Sequence, residues 1–141
     1  MPSVFKYNGN EIIDSSGKVT ATAMNSSGDA PVYACRAWVN FDGSKDTNGS
    51  PSTANTNRLI RASGNVASVL RTGTGRYTIT FTTEMPDANY VMAGSAGSDG
   101  QTTSGRSVNR DGTWTTTAIQ IRSATDSTSY DDDYIGVAVF R

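Results

Sequence analysis

The 141-residue chain contains no histidine and a single cysteine, Cys35. The first absence removes the side chain that most often serves as a general base near neutral pH and most often ligates metals. The second excludes an intrachain disulfide and thiolate metal clusters, and leaves Cys35 as a small core residue on the face it shares with Tyr33 and Ala37. Charge is also scarce. With 12 basic and 13 acidic residues the net charge is -1, too little positive charge to displace counterions from phosphates, so no nucleic-acid partner is expected. No apolar run approaches the ~20 residues that span a bilayer, and residues 1–10 hold neither a basic leader nor an apolar segment. The expectation is a chain that neither inserts in a membrane nor leaves the cell by the standard secretory route. The Gly-rich stretch 94–105 is followed by neither Lys-Thr nor a helix signal, which excludes a phosphate loop, and nothing else points to a cofactor.

What the chain does have is Ser, Thr, Asn and Gly. Hydrophobic residues at 35% and charged residues at 18% describe a polar but weakly charged chain, which favours an ordered, Thr-rich sheet protein over disorder. Helical periodicity is missing from every window of about twelve residues or more. Strand signals dominate instead. Residues 77–83 alternate Tyr77, Ile79, Phe81 with Thr78, Thr80, Thr82, the period of a sheet with one buried face. Residues 65–71 pair with them through a Gly-containing turn at 72–75, and Pro86 and Asp87 turn the chain into residues 89–93, which predicts a three-stranded meander.

Residues 32–41 place Tyr33, Cys35, Ala37, Val39 and Phe41 on a core face, with Ala34, Arg36, Trp38 and Asn40 opposite. Ile119 and Ile121 mark a strand within 114–122, and Ile135, Val137 and Val139 form the apolar row of the last one; these two are expected to pair or to lie near one another. Residues 42–57, 94–112 and 124–133 read as loops. Near the amino terminus, short strands at 4–7, 11–14 and 18–23 are separated by Asn8-Gly9 and Ser16-Gly17 turns, and residues 25–30 read as a flexible joint. The expected organisation is an attachment ribbon with its joint at residues 1–30 and an all-β, antiparallel β-sandwich at residues 31–141.

Two groups of side chains stand out. Arg36 and Trp38, an outward Arg and Trp on one strand face, suit a subunit interface; the alternative is a second buried layer. Tyr130, Asp131, Asp132, Asp133 and Tyr134 form the densest charge cluster, and with Trp114 they are the receptor-binding candidates, because sugars need a flat aromatic surface and fixed hydroxyl acceptors. Most such runs are solvated loops. The cluster lacks the glycine and final glutamate of a calcium loop, so no metal is expected. No motif singles out a proton donor in an apolar pocket, so no catalytic residue is assigned.

The strings YACRAWVNFDG (residues 33–43), IRASGNVASVLRTGTGRYTITFTTEMPDANYVMAGSAG (60–97) and IGVAVFR (135–141) together resemble a recurrent module of tailed-phage tail fibres, found at the distal ends of fibres of phages that infect cyanobacteria and marine bacteria, among others. About half of the chain carries the resemblance. It implies a β-sandwich assembled as a homotrimer on the virion, attached through its amino terminus to a baseplate or tail protein, and binding a host surface receptor such as a glycan. The alternatives are a purely structural virion component, in the head decoration or baseplate, and a polysaccharide-degrading enzyme. Two features depart from the pattern: only a short segment replaces the usual long shaft, and residues 43–58 are expanded by a polar insert. The resemblance transfers no binding residues.

Overall fold

The computed structural model describes residues 4–7, 9–17, 19, 34–98 and 106–141. The chain forms two compact units, Met1–Ala34 and Cys35–Arg141. In the first, β1 (Phe5–Tyr7) and β2 (Asn10–Ile13) pair antiparallel around Gly9, whose φ of 81° is the left-handed conformation such a turn needs. Asp14 then caps a second turn by accepting from the backbone N–H and the hydroxyl of Ser16, and Ile13 bridges to Val19. Of the expected third strand only Val19 falls among the described residues, and the 25–30 joint lies outside them.

The second unit is all-β. One sheet has the strand order β4 (Arg58–Gly64), β3 (Cys35–Asp46), β10 (Tyr134–Phe140), β7 (Val91–Gly97); the other has β5 (Val66–Gly73), β6 (Arg76–Phe81), β9 (Ala118–Ala124), β8 (Ser107–Arg110). Every neighbouring pair is antiparallel. The inward rows meet in one core. Ala37, Val39 and Phe41 of β3 and Ile135, Val137 and Val139 of β10 face Val69, Tyr77, Ile79, Phe81, Ile119 and Ile121 of the second sheet. This is the antiparallel sandwich that the period-two alternation predicts.

Several local expectations need correction. Residues 89–93 do not extend a meander: they lead into β7, which begins at Val91 and pairs with β10 in the opposite sheet. Of the two arrangements expected for β9 and β10 the second holds: they do not pair, but line the same core from facing sheets. β3 runs on to Asp46 before its turn, and the 94–112 stretch contains the end of β7 and all of β8. Cys35 is exposed rather than in the core. The cause is a bulge: Val139 pairs with Ala37 but Phe140 pairs with Cys35, so Arg36 is an extra residue that inverts the alternation behind it.

Candidate functional site

Antiparallel connections bring the β3–β4, β5–β6 and β9–β10 loops to one end of the sandwich. Asp131 is the hub there. Its Oδ1 accepts from Arg71 Nε at 3.0 Å, from the Gly75 backbone N–H at 2.8 Å and from the Tyr77 hydroxyl at 2.8 Å, while Oδ2 accepts from Arg71 Nη2 at 2.9 Å. Gly75 makes this possible: its φ is +65°, and a Cβ there would lie 2.5 Å from the carbonyl oxygen of Ser123 and the nitrogen of Tyr130. Burial pushes the Asp131 carboxyl up, but the bonds from Arg71, Gly75 and Tyr77 outweigh it and hold the group below the usual carboxylate range. Near neutral pH Asp131 is therefore a fixed acceptor and not a proton donor.

The polar loop 47–57 is clamped from beneath by two arginines. Arg71, 5% exposed, donates Nη1 to the Thr53 carbonyl at 2.7 Å and to Asn55 Oδ1 at 2.6 Å. Arg58, 1% exposed, donates Nη1 to the Ser52 carbonyl at 2.9 Å and Nη2 to the Ala54 carbonyl. The bond to Asp131 raises the Arg71 pKa against the effect of burial, whereas burial, and then the charge of Arg71, lower that of Arg58. Burial first, with the bond to Asp131, pushes the Tyr77 phenol far above its ordinary value.

The other residues of the cluster have distinct places. Asp132 is fully buried; it accepts from the Ser123 hydroxyl at 2.5 Å and the Ser98 hydroxyl at 2.8 Å, with Arg106 Nε 3.2 Å away. The Arg106 guanidinium lies 3.4 Å from the Tyr130 ring centre, and the Arg61 guanidinium 4.5 Å from that of Tyr134, which is half exposed. Asp133 is partly buried. Trp114 does not join this group, because it precedes β9 while Tyr130 follows it, which puts them at opposite ends of the sandwich. Its indole stacks on Tyr90 at 5.2 Å and 11° and donates to the Gln120 carbonyl at 2.8 Å, as part of the packing around the core. Trp114→Ala is therefore expected to cost about 2 kcal/mol, below the range for a fully buried aromatic, and Tyr134→Ala little. Thermal melting of the two variants checks this.

The second surface is the outer face of the β4-β3-β10-β7 sheet. Its paired rows read Gly64, Trp38, Ala138, Ala93 and Ala62, Asn40, Gly136, Ser95. Trp38, 44% exposed, folds over Gly64, where a Cβ would meet its indole nitrogen at 2.4 Å. Cys35, Val91 and Tyr134 are also exposed on this face, which holds no acidic side chain in these rows. Arg36 is exposed at its margin and donates Nε to the Arg141 carbonyl. The opposite sheet is more polar, presenting Ser68, Thr78, Thr80, Gln120 and Arg122 outward beside the exposed Leu70.

Sequence reasoning found Asp131 but not its partners. Arg58 and Arg71 occur as single positive charges in strands, and nothing local shows that they clamp the insert. No family model, curated protein or solved structure matches the chain.

Proposed function

We propose that this chain is a tail-fibre protein of a tailed bacteriophage, which assembles as a homotrimer on the virion and binds a surface receptor of the host, a saccharide. The observation that carries this reading is the outer face around Trp38. At a strand spacing of about 4.8 Å and a rise of about 3.3 Å per residue, four strands of some seven residues present roughly 400 Å². That is within the range of about 300–600 Å² for the largest patch on a typical monomer, which is often functional, and Trp38 and Val91 are large apolar side chains exposed on it. The resemblance of residues 33–43, 60–97 and 135–141 to fibre modules supports a trimer as the form of the assembly. The ribbon, with Phe5, Tyr7 and Val19 each more than half exposed, offers apolar side chains for docking on a baseplate or tail protein.

A purely structural place in the virion is the second reading, favoured by the internal use of Asp131 and Asp132, whose carboxylates serve the fold. Binding of the purified protein to bacterial cells separates the two. Light scattering is expected to give a trimer mass at about 10 µM, a concentration at which interfaces of micromolar affinity persist. Trp38→Glu is expected to release folded monomers, since it removes a large exposed apolar side chain from this face and would bury a carboxylate in its place. A stable wild-type monomer would end the trimer reading.

A further inference from the structure

A pocket of about 370 Å³ opens at the loop end of the sandwich, lined by Ser44, Pro51, Ser52, Thr53 and Asp131. Its volume falls in the range of about 300–1,000 Å³ typical of small-molecule sites. We propose that it takes a neutral, hydroxyl-rich ligand, one saccharide unit of a surface glycan. This deepens the receptor-binding reading and rests on it for the biological source of the sugar, while the binding chemistry follows from the pocket alone.

The wall is rigid. Ser52, Thr53 and Ala54 each give a backbone carbonyl to a buried arginine, so the polar loop is already ordered before any ligand arrives. The entropy that would count against a loose Ser/Asn/Thr loop is thus lost on folding, not on binding. The acceptor is equally fixed. Asp131 keeps its side chain 16% exposed and meets the pocket with a carboxylate held in place by the Gly75 and Tyr77 donors on Oδ1 and by Arg71, which reaches Oδ2 through Nη2 at 2.9 Å and Nε at 3.1 Å.

The hydroxyls are arranged for both directions of hydrogen bonding. Ser44 Oγ donates to Asp42 Oδ1 at 2.7 Å, so towards the pocket its oxygen accepts. Ser52 Oγ accepts from the Ala54 N–H at 3.2 Å, so its own proton is available to a ligand. Neighbouring hydroxyls on a sugar ring act as donor and acceptor at once, which matches this pair together with Asp131. Pro51, exposed, supplies an apolar surface for the C–H face of the ring.

Charge decides against the alternatives. Arg71 at 2.9 Å neutralises Asp131, so the pocket does not attract a free cation. An anion meets no cationic side chain among the lining residues. A neutral polyol meets neither objection.

The test is an amide NMR titration of the full chain with glucose, galactose, mannose, rhamnose and N-acetylglucosamine, with glucosamine and N-acetylneuraminic acid as charged controls. Millimolar binding of at least one neutral sugar is expected, about 4 kcal/mol at the usual standard state, with the largest shifts at Ser44, Ser52, Thr53 and Gly75. Thr53→Trp, at an exposed position, is expected to fill the pocket and abolish the shifts with melting unchanged; Pro51→Ala is expected to weaken binding several-fold. Absence of shifts with every neutral sugar overturns the inference, as do shifts confined to the Trp38 face or tighter binding of a charged control. Cell binding keeps the two ideas apart. If wild type and Thr53→Trp bind cells equally, the pocket assignment fails and receptor binding stands; if the sugar binds but the protein ignores cells, the pocket stands and the host-attachment reading fails.

Discussion

Asp131→Ala is expected to destabilise the second unit by about 3–5 kcal/mol, because removal of one partner from a buried ion pair leaves the other uncompensated. Three donors lose their acceptor at once: the Arg71 guanidinium, the Gly75 N–H and the Tyr77 hydroxyl. Of these, Arg71 and Tyr77 are 5% and 1% exposed, so water cannot readily replace what is lost. Arg71→Met combined with Asp131→Ala is expected to be less harmful than the two single losses together, since no charge is then stranded. Urea denaturation at one fixed protein concentration measures both, and a cost below about 1 kcal/mol for the single variant would show that the network is a surface ion pair in all but appearance. The pH dependence has a defined sign. Because the folded carboxyl titrates below its unfolded value of about 3.9, its contribution is complete above that value and is lost as the pH falls through the folded one. Stability is expected to be flat in this respect from pH 7 to about 5 and to fall below about 4, and Asp131→Asn to flatten that acid limb.

The fold was legible wherever a strand has one apolar and one polar face. Tyr77, Ile79 and Phe81 against Thr78 and Thr80, or Ile135, Val137 and Val139, announce their own burial. β7 was harder to see because its outward residues, Ala93 and Ser95, alternate with equally small Gly94 and Ala96, and small residues on both faces erase the period. Cys35 was misplaced for another reason. A one-residue bulge leaves no trace in composition, yet it inverts every side chain beyond it. At the loop end, the carboxylates of residues 131 and 132 could be picked out as unusual, but their use could not. Whether an aspartate faces a receptor or an arginine depends on contacts such as Asp131 with Arg71, sixty positions apart in the chain. The same non-local bonds turn the polar insert from a loose loop into a wall. Trp114 teaches the converse, since an aromatic in a Thr-rich turn reads as a platform until Tyr90 is found stacked against it.

Phe81→Ala is expected to cost about 3–5 kcal/mol, and Thr80→Ala under about 1. The two are neighbours on β6 and make the same kind of backbone ladder, so the comparison holds strand propensity nearly constant and isolates burial. Phe81 is 6% exposed and meets Tyr90 edge to face at 6.0 Å, with Tyr90 in turn stacked on Trp114. Truncation leaves a cavity beneath that aromatic column, and its size after relaxation sets where in the range the loss falls. Thr80 points outward from the polar sheet and is only partly covered, so its methyl and hydroxyl are largely recovered by water. The urea midpoint is expected to drop for Phe81→Ala with the slope unchanged, the signature of lost stability without a change in the surface exposed on unfolding. Because stabilities of whole domains are only about 5–15 kcal/mol, a loss of this size leaves little margin, and the variant is best compared at low temperature. Equal losses at the two positions would place the core on the other face of β6, and would undo the inward orientation of Tyr77 on which the Asp131 network depends.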